Sequence, residues 1–311
     1  MTRRINQLNF HINNNRTWDS KWFSKNNYKY NLIEDLNIRK IVNNVFESSN
    51  KINNVVIIDK CVLYKYQNNY KLYIYVFFSN KFFQQNTLYN YKYNISDVKG
   101  KLYKNYKLNS LKKLLYTNYI NSKKLECIRL IKNLIPSDSN IQIFVKDIGF
   151  TNNPIKHNVL TNNSQLEIQK LLKRYKKVKY YKTLNMLFLS LSFSKYFKNY
   201  YINANTLCQF IKNQLLLMNE GKKDYKFNFY TLLNLINVLG LYYTNLSNSN
   251  FKGLKLYIKG RFLLNKRKRV IILNIGKIPL NTLDINIDYS HKQITKTSGT
   301  SSIKLWINNT K

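Results

Sequence analysis

Apolar positions recur along this chain with two different periods, and they predict an α+β fold. Between Asn31 and Glu47, residues Leu32, Leu36, Ile41, Val42 and Val45 fall at three- and four-residue spacing, as in an amphipathic helix. Trp18 and Trp22 precede it, placed to anchor the helix on the next layer. Val55–Asp59 is a short apolar run that predicts a strand. Lys71–Phe78 alternates, with Leu72, Ile74 and Val76 on one face, and predicts a second. Asn80–Leu108 is rich in Asn, Tyr and Lys and aperiodic, so it is read as a loop or insertion. Helical spacing returns at Leu111–Tyr116 and Lys124–Leu134 and ends before Pro136. Asn140–Lys146 predicts a third strand. The order is α-β-β-α-(α)-β.

Thr151–Tyr201 opens on Asn152, Asn153 and Pro154 and carries the basic stretch Arg174–Lys179. It is read as a linker or insertion with a basic helix. No clean apolar face opposes its lysines, so a nucleic-acid or partner contact suits it better than a membrane surface. Leu184–Phe193, the longest apolar run, is interrupted by serine and too short to span a bilayer, so it is read as a core element. Thr206–Met218 and Phe227–Leu239 predict two helices broken at Glu220–Lys223, with Gly240 as a C-terminal cap. Strands are expected at Leu254–Lys259, Val270–Asn274, Thr282–Ile287 and Ser302–Ile307. The 311 residues suffice for one large or two modest domains.

Charge changes the picture from a generic α+β protein to a binder of polyanions. The chain has 52 Lys+Arg against 14 Asp+Glu, a formal net charge of +38. No acid occurs in Val98–Leu125, Ile168–Asn219 or Tyr225–Leu283. Nucleic acid relieves the self-repulsion, because each neutralised phosphate also releases a counterion. Drift toward lysine codons is the competing explanation. One alanine (Ala204), 26 Tyr, 17 Phe and runs of Asn mark an AT-rich coding sequence. Residues that run against that bias therefore carry more information, and six of the eight glycines lie after residue 220.

Enzymatic chemistry finds little support. Cys61, Cys127 and Cys208 are far apart, and His11, His157 and His291 show no metal-ligand spacing. Buried, spectator cysteines in a reducing compartment are expected, with no metal, no cofactor and no catalytic residues. The start, MTRRINQLNF, has no apolar core of a secretory signal.

The against-bias residues form an ordered series at the C-terminal end. KGLKLYIKGR (Lys252–Arg261) is followed by KRKR (Lys266–Arg269) and GKIPLNTL (Gly276–Leu283). IDYS (Ile287–Ser290), a turn at Thr297–Gly299 and IKLWI (Ile303–Ile307) complete it. This series resembles the C-terminal domain of the universal small-subunit ribosomal protein three family. Trp18-Asp19-Ser20-Lys21-Trp22-Phe23 is similar to that family's W-x-S-x-W-[FY] opening. Two departures stand out. Ser79–Asn86 contains no glycine where the family's GxxG loop would clamp nucleotide backbone, and Ser302 replaces a second glycine.

The resemblance implies residues 1–30 as an extension onto rRNA or neighbours. It implies a type II KH-like domain at 31–150 with an insertion near 80–110, a linker with a basic helix at 151–205, and the family's C-terminal domain at 206–311. That last domain would hold a four-stranded, mostly antiparallel sheet and two helices. The protein would sit in the head of the small subunit, against rRNA and head proteins ten and fourteen, with lineage-specific proteins on the insertions. Family residues on the second C-terminal helix line the mRNA entrance channel; Lys222, Lys223 and Lys226 stand there in this sequence. Gly260-Arg261 is either a turn with a solvated Arg or an Arg held to rRNA, bidentate on phosphate. Lys259 precedes it, and Lys266, Arg267, Lys268 and Arg269 are expected on phosphate. Arg3, Arg4 and Arg16 are either solvated or inserted into rRNA. Leu280, Leu283 and Trp306 are expected in the core. Divergence favours a mitochondrial ribosome over a plastid one, and the absence of a presequence suggests an organelle-encoded gene. The alternative reading, an intron-associated maturase or endonuclease, would need an arrangement of acidic metal ligands that the 14 acids do not form.

Overall fold

The computed structural model describes residues 18–48, 56–78, 101–136, 139–148, 170, 181–192, 203–217, 225–246, 249–261, 267–296 and 299–309. The chain forms an α+β structure divided into two compact units, Asp19–Asp147 and the remainder.

The first unit runs β1 (Ser20–Lys21), α1 (Tyr28–Ser48), β2 (Val56–Tyr66), β3 (Asn69–Phe78), α2 (Lys101–Lys132) and β4 (Asn140–Asp147). Its sheet has the order β1-β2-β3-β4. β2 and β3 pair antiparallel, while β1–β2 and β3–β4 pair parallel. Leu72, Ile74 and Val76 are fully buried on one face, as the alternation predicts. They meet Ile38, Val42, Val45 and Phe46 of α1 and Ile120, Cys127 and Ile131 of α2. The buried stripe of α1 is rotated from the expected one, because Leu32 and Leu36 are exposed. The two helical pieces expected at 111–134 belong to one helix.

A polar clasp explains the N-terminal motif. Ser20 Oγ and Trp22 Nε1 both donate to Asp35 Oδ2, the latter at 3.3 Å. Arg39 donates from Nε to Asp35 Oδ1 at 2.8 Å, from Nη2 to Ser20 Oγ at 3.0 Å, and from Nη1 to the Cys61 carbonyl. Leu63 N–H donates to the Asp19 carbonyl at 2.9 Å. One buried carboxylate thus ties β1 to α1, and one guanidinium extends the tie to β2. Trp22 acts as the expected anchor. Trp18 does not: its side chain is 63% exposed.

The second unit contains α3 (Tyr181–Ser192), α4 (Ala204–Leu217), α5 (Tyr225–Asn245), β5 (Phe251–Gly260), β6 (Arg269–Gly276), β7 (Asn286–Lys296) and β8 (Gly299–Asn309). Its sheet, in the order β6-β5-β8-β7, is antiparallel throughout. α3 lies inside the segment read as a linker, and it is the core element expected from the apolar run Leu184–Phe193. Leu184, Leu187, Phe188 and Leu191 are fully buried, Phe188 stacks on Tyr243 at 6.0 Å, and Tyr243 Oη donates to Asn185 Oδ1 at 2.7 Å. The unit therefore has three described helices where two were expected. The basic stretch Arg174–Lys179 lies outside the described residues.

Gly240 is not a cap. It sits within α5, where an added Cβ would meet Ile275 Cδ1 at 2.5 Å, so the missing side chain lets the helix close on β6. The strand expected at Thr282–Ile287 begins at Asn286 and runs to Lys296, because the segment after Pro279 turns. Leu283, expected in the core, is 45% exposed on that turn. Among the described residues no helix is long and apolar enough to cross a membrane.

Candidate nucleic-acid interface

One end of the second sheet gathers the basic motif. Gly260, the last residue of β5, pairs with Arg269, the first of β6, and with Ser301 of β8. Its φ is +138°, and a Cβ there would lie 2.5 Å from Ser301 Cα, so only glycine allows the chain to turn against β8 at this point. The turn projects Arg261 beside Gly299, whose position is 3.4 Å from Arg261 Cδ when a Cβ is built on it. Arg261, Arg267, Lys268 and Arg269 are exposed, and Lys259 is half-buried. Five of the expected contact residues thus converge on one edge through strand pairing.

The remaining expected contacts are not placed there. Arg3, Arg4, Arg16, Lys222, Lys223 and Lys266 lie outside the described residues. Lys226 falls in the first turn of α5.

Sequence reasoning missed the adjoining sheet face. Leu254, Leu256 and Ile258 of β5 and Ile303, Leu305 and Ile307 of β8 are fully buried. Alternation sends Lys255, Tyr257 and Lys259 to the opposite face, with Ser302, Lys304 and Trp306 from β8 beside them. Trp306 is therefore half-buried on this outer face and not in the core. Its ring lies 5.2 Å from Tyr289, with Lys255 Nζ 5.8 Å from its centroid. On the next row, burial and the Lys304 ammonium both hold His291 below its ordinary value of 6.5, which favours the neutral imidazole. The period-two pattern Lys255, Tyr257, Lys259 was the available signal. Lysines beside flat aromatic rings suit phosphate and base contacts together.

The three thiols are inert by placement. Burial pushes Cys61 and Cys127 up to about 12 and Cys208 up to about 11. At Cys61 the Arg39 guanidinium opposes the shift without cancelling it.

No protein-family profile matches the chain. Curated proteins do. Small ribosomal subunit protein uS3m of Acanthamoeba castellanii is 23% identical over 97% of this chain and 94% of its own length. Small ribosomal subunit protein uS3c of Euglena longa is 32% identical over 98 residues, 32% of this chain and 45% of that protein. Small ribosomal subunit protein uS3 of Thermomicrobium roseum is 38% identical over 56 residues. The chain is similar to uS3 proteins. The chain spans under half of the Euglena relative, but nearly all of the amoebal one. Within the motif series at Lys252–Ile307, Gly260 builds the turn against β8, and Ser20 and Trp22 build the tie to Asp35.

Proposed function

We propose that this chain is a uS3 protein, a structural constituent of the small subunit of a mitochondrial ribosome, acting in translation by binding small-subunit rRNA. The observation that carries the reading is the end-to-end similarity to a mitochondrial uS3m. The basic edge formed by Lys259, Arg261 and Arg267–Arg269 supplies the RNA contact, with phosphates held by exposed guanidinium and ammonium groups. The α-β-β-α-β order of the first unit after β1 supports a KH-like domain, as the family resemblance implies. The same resemblance implies a position in the head of the subunit, near proteins ten and fourteen. It also implies that Lys222, Lys223 and Lys226 line the mRNA entrance channel. Ribosomal relatives are structural proteins, and the role proposed here is not enzymatic.

Sedimentation tests this. A tagged copy expressed in mitochondria should travel with small-subunit rRNA through a sucrose gradient. Migration at the top of the gradient, free of rRNA, would end the proposal. For the channel, photocrosslinkers at Lys222 and Lys223 should reach mRNA, and crosslinks to protein alone would remove that part.

A further inference from the structure

The outer face of the first sheet is an ordered array of rings and lysines. Both helices pack on the other face, around Leu72, Ile74 and Val76. Strand pairing lays out what points away from them. The central row is Val62, Tyr73 and Phe144. On one side runs Lys60, Tyr75 and Lys146; on the other, Tyr64, Lys71 and Gln142, with Lys21 of β1 next to Tyr64. These three rows contain no acidic residue.

The rings are mutually supported. Tyr73 stacks on Phe144 with centroids 5.0 Å apart and planes 16° from parallel, and Tyr64 meets Tyr73 edge-on at 5.6 Å. Lysines brace them: Lys60 Nζ is 4.9 Å from the Tyr75 centroid, and Lys146 Nζ is 5.2 Å from Tyr73 and 5.6 Å from Tyr75. β4 is the edge strand, so the stack ends at Phe144, which is 41% exposed. One side of the Phe144 ring is taken by Tyr73, and along β4 the ring stands between Gln142 and Lys146, both exposed.

We infer that this face binds unpaired RNA nucleotides, with a base extending the Tyr73–Phe144 stack at the sheet edge and phosphates lying along Lys60, Lys71 and Lys146. Charge complementarity selects this occupant. A row of aromatics alone would suit an apolar protein surface, but lysines on both flanks without an acid fit a polyanion carrying flat bases. Gln142 supplies both donor and acceptor for a base edge. The face lies opposite the helices, so it is a different surface from the glycine-loop groove of a KH domain, whose glycines this chain lacks. The inference rests on the RNA-binding role proposed above.

Ultraviolet crosslinking of small subunits carrying this chain tests it. After nuclease and protease digestion, nucleotide adducts should map to peptides of β3 or β4, at Tyr73 or Phe144. In Phe144→Leu subunits the β4 adduct should fall about tenfold, the effect of losing one base–aromatic stack. Lys146→Gln should lower it without abolishing it. Adducts confined to the Arg261–Arg269 region would overturn this inference and leave the RNA-binding role standing. Lysine-reactive crosslinks from Lys71 and Lys146 to a neighbouring protein, with no adduct on either strand, would overturn it in favour of a protein contact. A chain that fails to sediment with the subunit would instead remove the proposed function itself.

Discussion

Asp35 carries more structural consequence than any other single acid described. It is 3% exposed and accepts from Ser20, Trp22 and Arg39 together. Removing the carboxylate leaves the Arg39 guanidinium partly buried without its ion-pair partner, so Asp35→Ala is expected to lower unfolding free energy by about 3 kcal/mol. Chemical denaturation of the purified chain measures it, and a change within a few tenths of wild type would refute the clasp. The thiols give a second expectation. Unfolded cysteines ionise near 9.0, whereas burial keeps Cys61 protonated to about 12. Between those values the folded state holds the extra proton, so stability that is fully present below pH 9 is lost as pH climbs toward 12. The denaturation midpoint should therefore fall between pH 8 and pH 10, and fall less in Cys61→Ser. An identical drop in both proteins would show that the thiol contributes nothing.

At the scale of elements, the basic edge works through strand ends. Arg267 and Lys268 are exposed and precede β6 directly. Replacing both with glutamine should weaken RNA binding and lower the slope of log affinity against log salt by about 2, one per phosphate contact. Affinity titrations at several ionic strengths measure the slope, and an unchanged value would place both side chains in free solvent. The sequence made this edge legible because Gly260, Arg261, Arg267 and Arg269 oppose the codon bias. The two strong periods were legible as well: β3 and the strands around Leu254–Ile258 and Ile303–Ile307 lie where alternation put them. Registers and faces were harder. Trp306 reads as core by composition, yet strand pairing turns it outward beside Lys255 and Tyr289. Gly240 reads as a stop signal, while its use is a close helix–strand approach, which depends on Ile275 far along the chain. The Tyr73–Phe144 stack was invisible for the same reason: parallel pairing of β3 with β4 joins residues far apart in the chain, with α2 between them.

For the whole molecule, charge sets the terms. At +38, like charges oppose the compact state, and only screening or a polyanion relieves them. The purified chain is expected to melt at higher temperature as salt rises from about 0.05 to 0.5 M, where the Debye length shortens to a few ångströms. RNA should raise the melting point further at low salt, and this gain should shrink as salt competes for the phosphates. Thermal scans with and without an RNA fragment separate the two. A melting point that falls with salt would mean that attractive pairs such as Lys65–Glu34, at 2.6 Å, outweigh the net repulsion.

The short strand β1 also has a kinetic meaning. Lys21 reaches its neighbour Tyr64 across 43 residues of chain, and two paired residues are all that join it to the sheet. Leu63 is made long after Ser20, so β1 has no strand to join until β2 exists. It is expected to close after α1 has packed on the β2–β3 hairpin and brought Asp35 and Arg39 into place, because loop closure must precede the contacts that reward it. β1 is thus a latch that shuts last, and the Leu63 amide, bonded to the Asp19 carbonyl, is the proton whose slow exchange announces a finished first unit.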